Sequence, residues 1–591
     1  MRRTEAFAVA ALAAASLATA QLLPRPAPVE AGLALAVAWA GLLLYVPVRA
    51  AAGWCWRQVA AAAPREADRR ALGLVLVLGV GLLAWGIDWG LVGHSWAADE
   101  LRPDWVRDVL RKGLSSGWYD KYPWLHYAVL AVPMAGFEAA EQSGLLAAGG
   151  ASSWAAQLAV MRAVSVAMGL ATLVAAFLCA VEIVGARRAA LAPLVLLLTP
   201  LFVFYGKTAN LDVPSLCWFA WAMVAFLRIV RRGRATDYVC LAVASAGAVA
   251  TKDQAYANLA LVAAAVLIVT ARRETSRTWW GKLGSALAGR QVLSAAAASA
   301  LALALFHNVI FNSAGAVAHF KLLATLGDLA IVPGTAAGYA KLAGLTLWLF
   351  RWSLGWPFFA LAVLGIASAA ARPERRWQLW LLVVPLSFYL VFTCVTRYVN
   401  DRYLFGGIFV LALFAASACA DLLAAVRRQP LPRLVAGGAC AYSLLYAASI
   451  NVAMTLDARH AARKWLAARA GAGSVVALVG GPYQPAVPPP ARSVVVDGSV
   501  GDLARASADY VVINGRFARR YERARSPEGR TLLKRLEDGS LGYDEAFRYR
   551  APLPAWALLQ YEAPMRGDEE SSLTNLDKVN PEMVVYARRR P

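Results

Sequence analysis

Apolar residues run along the chain in long blocks separated by short charged clusters. Taking about twenty apolar residues as one passage through the hydrocarbon core of a bilayer, the pattern predicts about thirteen spans. They fall at 5–22, 31–49, 71–92, 160–184, 187–204, 211–231, 236–251, 254–271, 291–311, 354–371, 376–396, 403–425 and 432–454. The first block also has the form of a signal peptide, because Arg2 and Arg3 precede an apolar run that closes on the small residues Ala18 and Ala20. After residue 455 the pattern changes. The short strings "SVVALVG" (474–480), "SVVVD" (493–497), "DYVVING" (509–515) and "MVVYARR" (583–589) read as buried strands, and "RHAARKWLAARA" (459–470) reads as a helix. The expectation is a polytopic α-helical membrane protein with a small C-terminal α/β domain. Residues 1–70 hold two spans and a loop, 71–455 form the main helical body with a long loop at 93–159, and 456–591 form the α/β domain.

Sidedness follows from the basic clusters. With Arg2 and Arg3 in the cytoplasm, the clusters at Arg57/Arg65/Arg69/Arg70, Arg187/Arg188, Arg231/Arg232/Arg234, Arg272/Arg273/Arg277, Arg375/Arg376 and Arg427/Arg428/Arg433 all fall on the cytoplasmic side. Counting the apolar string 122–137 as a further crossing would put every later cluster outside, so it reads as a helix lying on the outer interface. The loop 93–159, the turns 205–212 and 251–256, the segment 312–353, the turn 397–403 and the α/β domain are then extracytoplasmic, as in a bacterial inner membrane. Composition agrees: 59% of the 591 residues are hydrophobic and only 16% charged. The net charge of +22 is dispersed among the loops rather than gathered in a basic domain, which argues against nucleic acid as a partner. The seven cysteines show no CxxC spacing and read as small packing residues.

The candidate chemistry lies on the outer side. Asp99 and Glu100 stand side by side in "GHSWAADELRPDW", and the same side receives Asp120, Lys121, Lys207, Asp212, Lys252, Asp253, Arg397, Asp401 and Arg402. Ionisable groups crowded against the ends of apolar helices cost free energy, so their convergence points to function. For any one of them, an ordinary solvated loop charge is the competing reading.

"AADE", "YDKYPWLHYAVLAVP" about twenty residues later, the long run from "MRAVSVAMGL" to "YGKTANLDVPSLCWF", "ATKDQAYANLAL" and "DRYLFGGIFVLALF" occur in this order between residues 71 and 455. Together they resemble the GT-C membrane glycosyltransferases, in particular the dolichyl-phosphate-mannose protein mannosyltransferase and aminoarabinose transferase group. Two departures stand out: Tyr122 separates Lys121 from Pro123 where the family has Lys-Pro-Pro, and two extra spans precede the motif-bearing core. The resemblance implies transfer of a sugar from a polyprenyl phosphate in the outer leaflet to an acceptor hydroxyl, with inversion.

Such a displacement needs a base for the hydroxyl and positive charge for the departing phosphate. Asp99 is the candidate base, with Glu100 orienting it or the acceptor. Lys121 and Arg402 are the candidate phosphate ligands. Asp212 either fixes sugar hydroxyls or holds Lys121, and a plain helix N-terminal role competes. Asp120, Tyr122, Lys207, Lys252, Asp253 and Arg397 complete the expected substrate site. His94, His126, His307, His319 and His460 lack zinc-ligand spacing. No cofactor follows from the sequence, and a divalent cation held in part by Asp99 or Asp120 stays open. The expected partners are the polyprenyl-phosphate sugar, a lipid, glycan or protein acceptor, and membrane lipids. A transporter would instead show repeated halves and charges near the bilayer midplane. A lipid-linked oligosaccharide polymerase or ligase would move the chemistry to 312–353, with Lys321, Asp328 and His319.

Overall fold

The computed structural model describes residues 52–91, 95–111, 122–144, 150–325, 330–425, 431–479, 483–515, 527–558 and 573–589. The chain forms two compact units, one of residues 1–85, 101–148 and 156–447, the other of 86–100, 149–155 and 448–591. The first unit is helical. Its main helices are α1 (Glu66–Ala84), α2 (Leu125–Gln142), α3 (Gly150–Val184), α4 (Asp212–Arg231), α5 (Ala235–Thr251), α6 (Ala255–Ala271), α7 (Arg290–Phe306), α8 (Ala336–Ala371), α9 (Pro373–Thr396), α10 (Phe405–Ala425) and α11 (Leu431–Thr455). Divisions between the units fall within α3 and α11.

Among the described residues, six helices are long and apolar enough to cross a membrane, or seven if the pair Trp279–Ala288 and α7, bent by 51°, is one span. The count of about thirteen is therefore not reproduced. The predicted spans at 5–22 and 31–49 lie outside the described residues. The predicted span 187–204 is broken into the short helices Leu191–Leu197 and Pro200–Tyr205. Pro200 supplies the reason, since a ring at the first helical position starts a helix but cannot continue one. The predicted 354–371 is the second half of a longer α8, whose backbone departs from helical geometry at Gly355 (φ 70°) just before Pro357. Glycine takes that left-handed conformation at little cost. Helix α2 contains Pro133 and buries His126, Tyr127 and Leu130.

Small residues set the close helix contacts. A Cβ on Gly365 of α8 would lie 2.1 Å from the Phe414 carbonyl oxygen of α10, so only glycine lets these backbones approach so closely. Gly247 of α5 likewise seats the Trp218 ring of α4. The Ser215 hydroxyl of α4 donates to the Ala248 carbonyl of α5 at 3.1 Å, which fixes the register of this antiparallel pair.

The second unit is built on a five-stranded sheet. Its elements are α12 (Ala458–Arg469), β1 (Val475–Val479), β2 (Arg492–Val496), α13 (Val500–Ala506), β3 (Tyr510–Asn514), α14 (Pro527–Glu537), β4 (Tyr543–Tyr549) and β5 (Met583–Arg588), in the spatial order β2-β1-β3-β5-β4. The first three spatial neighbours are parallel, and β5 and β4 are antiparallel additions. Alternation along the strands explains the layers. Val476, Leu478, Val512 and Val585 pack on Ala462 and Leu466 of α12, while Ala477, Val479, Val511 and Ile513 pack on Leu503, Leu532 and Leu536 of α13 and α14. The four strands read from sequence are present within a residue or two. Strand β4 was not foreseen, because "YDEAFRY" carries charges at an exposed sheet edge and so lacks an apolar run.

Candidate functional site

In the first unit three of the expected polar residues line one cleft: Asp212, Lys252 and Arg402. Their convergence follows from helix polarity. Asp212 opens α4, where helix dipole and free amides favour a carboxylate. Lys252 closes the antiparallel α5 in an extended conformation (φ −153°, ψ 114°), so its side chain returns to the same end of the pair. Its ammonium donates to Asp212 Oδ1, with side-chain exposures of 9% and 3%. Arg402 lies in the 3-10 turn Asp401–Leu404 that leads into α10. Asp401 Oδ1 accepts the Arg402 amide at 2.6 Å and fixes that turn. The Tyr403 ring stands 5.1 Å from the Lys252 ammonium and 5.1 Å from the Arg402 guanidinium.

The wall of the cleft includes Phe219, Phe388 and Phe405, and Ser215, Gln254 and Asn258 add polar groups not anticipated from sequence. Asn258 Oδ1, on the first turn of α6, is buried with no hydrogen-bond partner among the described residues. Gly406 faces it, and a Cβ there would lie 2.3 Å from that oxygen. The signal in the sequence was the Asn258 amide in "AYANLALVAAA", a polar group inside an apolar run.

The other expected site residues are placed differently. Lys207 is fully buried and donates to the carbonyls of Leu82 at 2.8 Å and Trp85 at 2.6 Å, where it closes the C-terminal end of α1. Asp253 receives His319 Nε2 at 3.1 Å rather than lining the cleft. The His307 ring stacks on Phe320. Arg397 takes a left-handed conformation (φ 51°), and its carbonyl accepts the Ile331 amide at 3.0 Å. Burial pushes the neighbouring Tyr398 phenol up to about 12. Tyr122 is buried; Asp120 and Lys121 lie outside the described residues, as do His94 and Asp328. Lys321 is exposed on the helix Ser313–Thr325.

Asp99 and Glu100 belong to the second unit. Asp99 is half-buried on a turn with φ 59°, a left-handed conformation that Asp tolerates better than most side chains. Glu100 is 5% exposed and accepts the Ser95 hydroxyl, which also takes the Ala97 amide at 3.2 Å. The local hydrogen bonds give the acidic pair a defined shape. Among the described residues no three His, Cys, Asp or Glu side chains are grouped to hold a metal ion.

Comparison with known proteins bears on what this arrangement is. Residues 146–294 match the family of dolichyl-phosphate-mannose-protein mannosyltransferases. That segment carries both Asp212 and Lys252. No curated protein sequence matches the chain. Among solved structures, ArnT from Cupriavidus metallidurans bound to undecaprenyl phosphate aligns with a TM-score of 0.43 and 15% identity over 87% of this chain and 97% of its own. The Archaeoglobus fulgidus oligosaccharyltransferase tethered with an acceptor peptide aligns at 0.41 and 12% identity, over 84% and 75%. Arabinosyltransferase EmbB from Mycobacterium smegmatis aligns at 0.38 and 17% identity, over 72% and 37%.

Proposed function

We propose that the protein is a membrane glycosyltransferase that moves a sugar from a polyprenyl phosphate to an acceptor hydroxyl at the outer face of a bacterial inner membrane. The observation that carries the reading is the mannosyltransferase match over 146–294, because it spans the two partners of the buried ion pair in the cleft. A cleft with two cations against one aromatic ring and phenylalanines in its wall suits an anionic headgroup on a hydrocarbon chain.

In this reading Lys252 and Arg402, together with Lys121, receive the phosphate. Asp212 holds Lys252 in its extended pose. Asn258 offers its unpaired oxygen to a donor hydroxyl or amide group, a ligand that a buried acceptor requires. Asp99 takes the proton of the acceptor hydroxyl as that oxygen bonds to the anomeric carbon. The bond from the anomeric carbon to phosphate breaks, and its electron pair leaves on the phosphate oxygen. The configuration inverts. Glu100 orients the acceptor or Asp99, and the C-terminal α/β domain is extracytoplasmic. The cations act where charge develops, on the phosphate, which is where a preorganised site lowers the barrier most.

The test is a panel of radiolabelled polyprenyl-phosphate sugars offered to membranes with and without the protein, scored for label in protein, lipid and glycan. Transfer that depends on the protein supports the reading. Absence of transfer from every donor, with the protein present and folded, refutes it.

A further inference from the structure

The second unit contains a buried ion pair for which the reaction above has no direct use. Asp457 and Arg459 stand at the start of α12, and both side chains are 0% exposed. Desolvating two charges is expensive and is tolerated only where geometry and hydrogen bonding are nearly complete. Here they are. Arg459 donates from Nε to Asp457 Oδ1 at 2.9 Å and from Nη2 to Asp457 Oδ2 at 2.7 Å, a forked pair. Its remaining donors reach the carbonyls of Tyr483 at 3.2 Å and Lys578 at 2.9 Å.

What surrounds this pair comes from far away in the chain. The guanidinium lies 4.3 Å from the Trp96 ring and 5.1 Å from the Trp89 ring. Trp89 Nε1 donates to Asp457 Oδ2 at 2.9 Å, and Trp96 Nε1 donates to the Gln484 carbonyl at 3.0 Å. Between the two tryptophans, Gly90 has φ 70°, and a Cβ there would lie 2.7 Å from Trp96 Cβ. Glycine is required for Trp96 to seat. Trp96 is followed directly by the turn 97–99 and Glu100. One bond of the pair, from Trp89 Nε1 to Asp457 Oδ2, and both ring contacts of the guanidinium thus reach the stem of the acidic turn.

We propose that Arg459, Asp457, Trp89, Trp96 and Gly90 form a clamp by which the C-terminal α/β domain sets the position of Asp99 and Glu100. These are positioning residues. The inference rests on the assignment of Asp99 and Glu100 to the transfer reaction.

The experiment uses the purified full chain in lipid nanodiscs, with Arg459→Lys and Gly90→Ala. Arg459→Lys keeps the charge and loses the fork and the stacked plane. Gly90→Ala touches no polar group. Trp96→Phe replaces Arg459→Lys if the latter fails to fold. Two readouts are taken: hydrogen exchange of the peptide covering 95–101 against that of β1 and β3, and kcat against donor KM. The clamp predicts faster exchange at 95–101 with the strands still protected, and a fall of about 10²-fold in kcat with donor KM unchanged, the scale of a misplaced reacting group. Unchanged exchange at 95–101 in both variants overturns it. So does loss of strand protection in step with the loop, which would make the pair a support for the sheet alone. If wild-type protein transfers from no donor while loop exchange still rises selectively, the clamp stands and the glycosyltransferase reading falls.

Discussion

Replacing Lys252 by Met tests the cleft through its energetics. The ammonium pairs with an Asp212 carboxylate that is 3% exposed, so Lys252→Met leaves a buried charge without its cation. Removing one partner of a buried pair costs about 3–5 kcal/mol. The N-terminus of α4 remains and offsets about 0.3–1 kcal/mol of that. Asp212→Asn added to Lys252→Met removes the stranded charge, and replacing a whole buried pair by neutral groups is often close to neutral. The double variant should therefore regain most of the stability. Activity should not return with it, because the phosphate has still lost a cation. The assay is unfolding in detergent for wild type, both single variants and the double variant, beside transfer measured on the folded fraction. Equal stability of all four proteins would show that the pair contributes nothing. Near-wild-type transfer by the double variant would remove the phosphate from this cleft.

Other outcomes follow from the same geometry. Asp99→Asn keeps shape and loses the basic oxygen, so transfer should fall by about 10²–10⁴-fold with donor binding retained, and Glu100→Gln should cost less; a larger loss at Glu100 would exchange their roles. Gly365→Ala places a methyl 2.1 Å from the Phe414 carbonyl oxygen, and the forced separation of α8 from α10 should cost about 1–3 kcal/mol in an unfolding measurement. In the α/β domain, hydrogen bonds from Arg589 and Arg548 hold the Asp544 and Glu545 carboxyls below their ordinary values. Folded values below unfolded ones mean that these contacts support β4 above the ordinary carboxylate range, near pH 4, and weaken as pH falls through the lowered values; hydrogen exchange of 543–549 should quicken in acid before that of β1. A reporter that works only in the cytoplasm, fused at the C-terminus, should be inactive, and an active one would reverse the sidedness.

The sequence made visible whatever local periodicity encodes. The apolar block 211–231 became α4, and "SVVALVG" and "DYVVING" became β1 and β3. Features set by tertiary context were not visible. The first half of α8 carries Lys341 and Arg351 and so read as part of the outer segment 312–353, although its helix continues to Ala371. Lys207 looked like a site cation, but the open carbonyls at the end of α1 take its ammonium, a demand that cannot be read without knowing which helix ends nearby. The closing of Lys252 onto Asp212 was half legible, because both were placed on one side of the membrane but no pattern names the partner. The clamp joins Trp89 to Asp457 across 368 residues, and two tryptophans beside an acidic pair gave no hint of it.

The central claim is tested most directly by purified protein in nanodiscs given a labelled polyprenyl-phosphate sugar and an acceptor found in the panel. The account predicts that free polyprenyl phosphate appears in equal amount to sugar transferred, and that both fall together by about 10²–10⁴-fold in Asp99→Asn. Sugar transfer without release of polyprenyl phosphate, or equal turnover with Asp99→Asn, would contradict it.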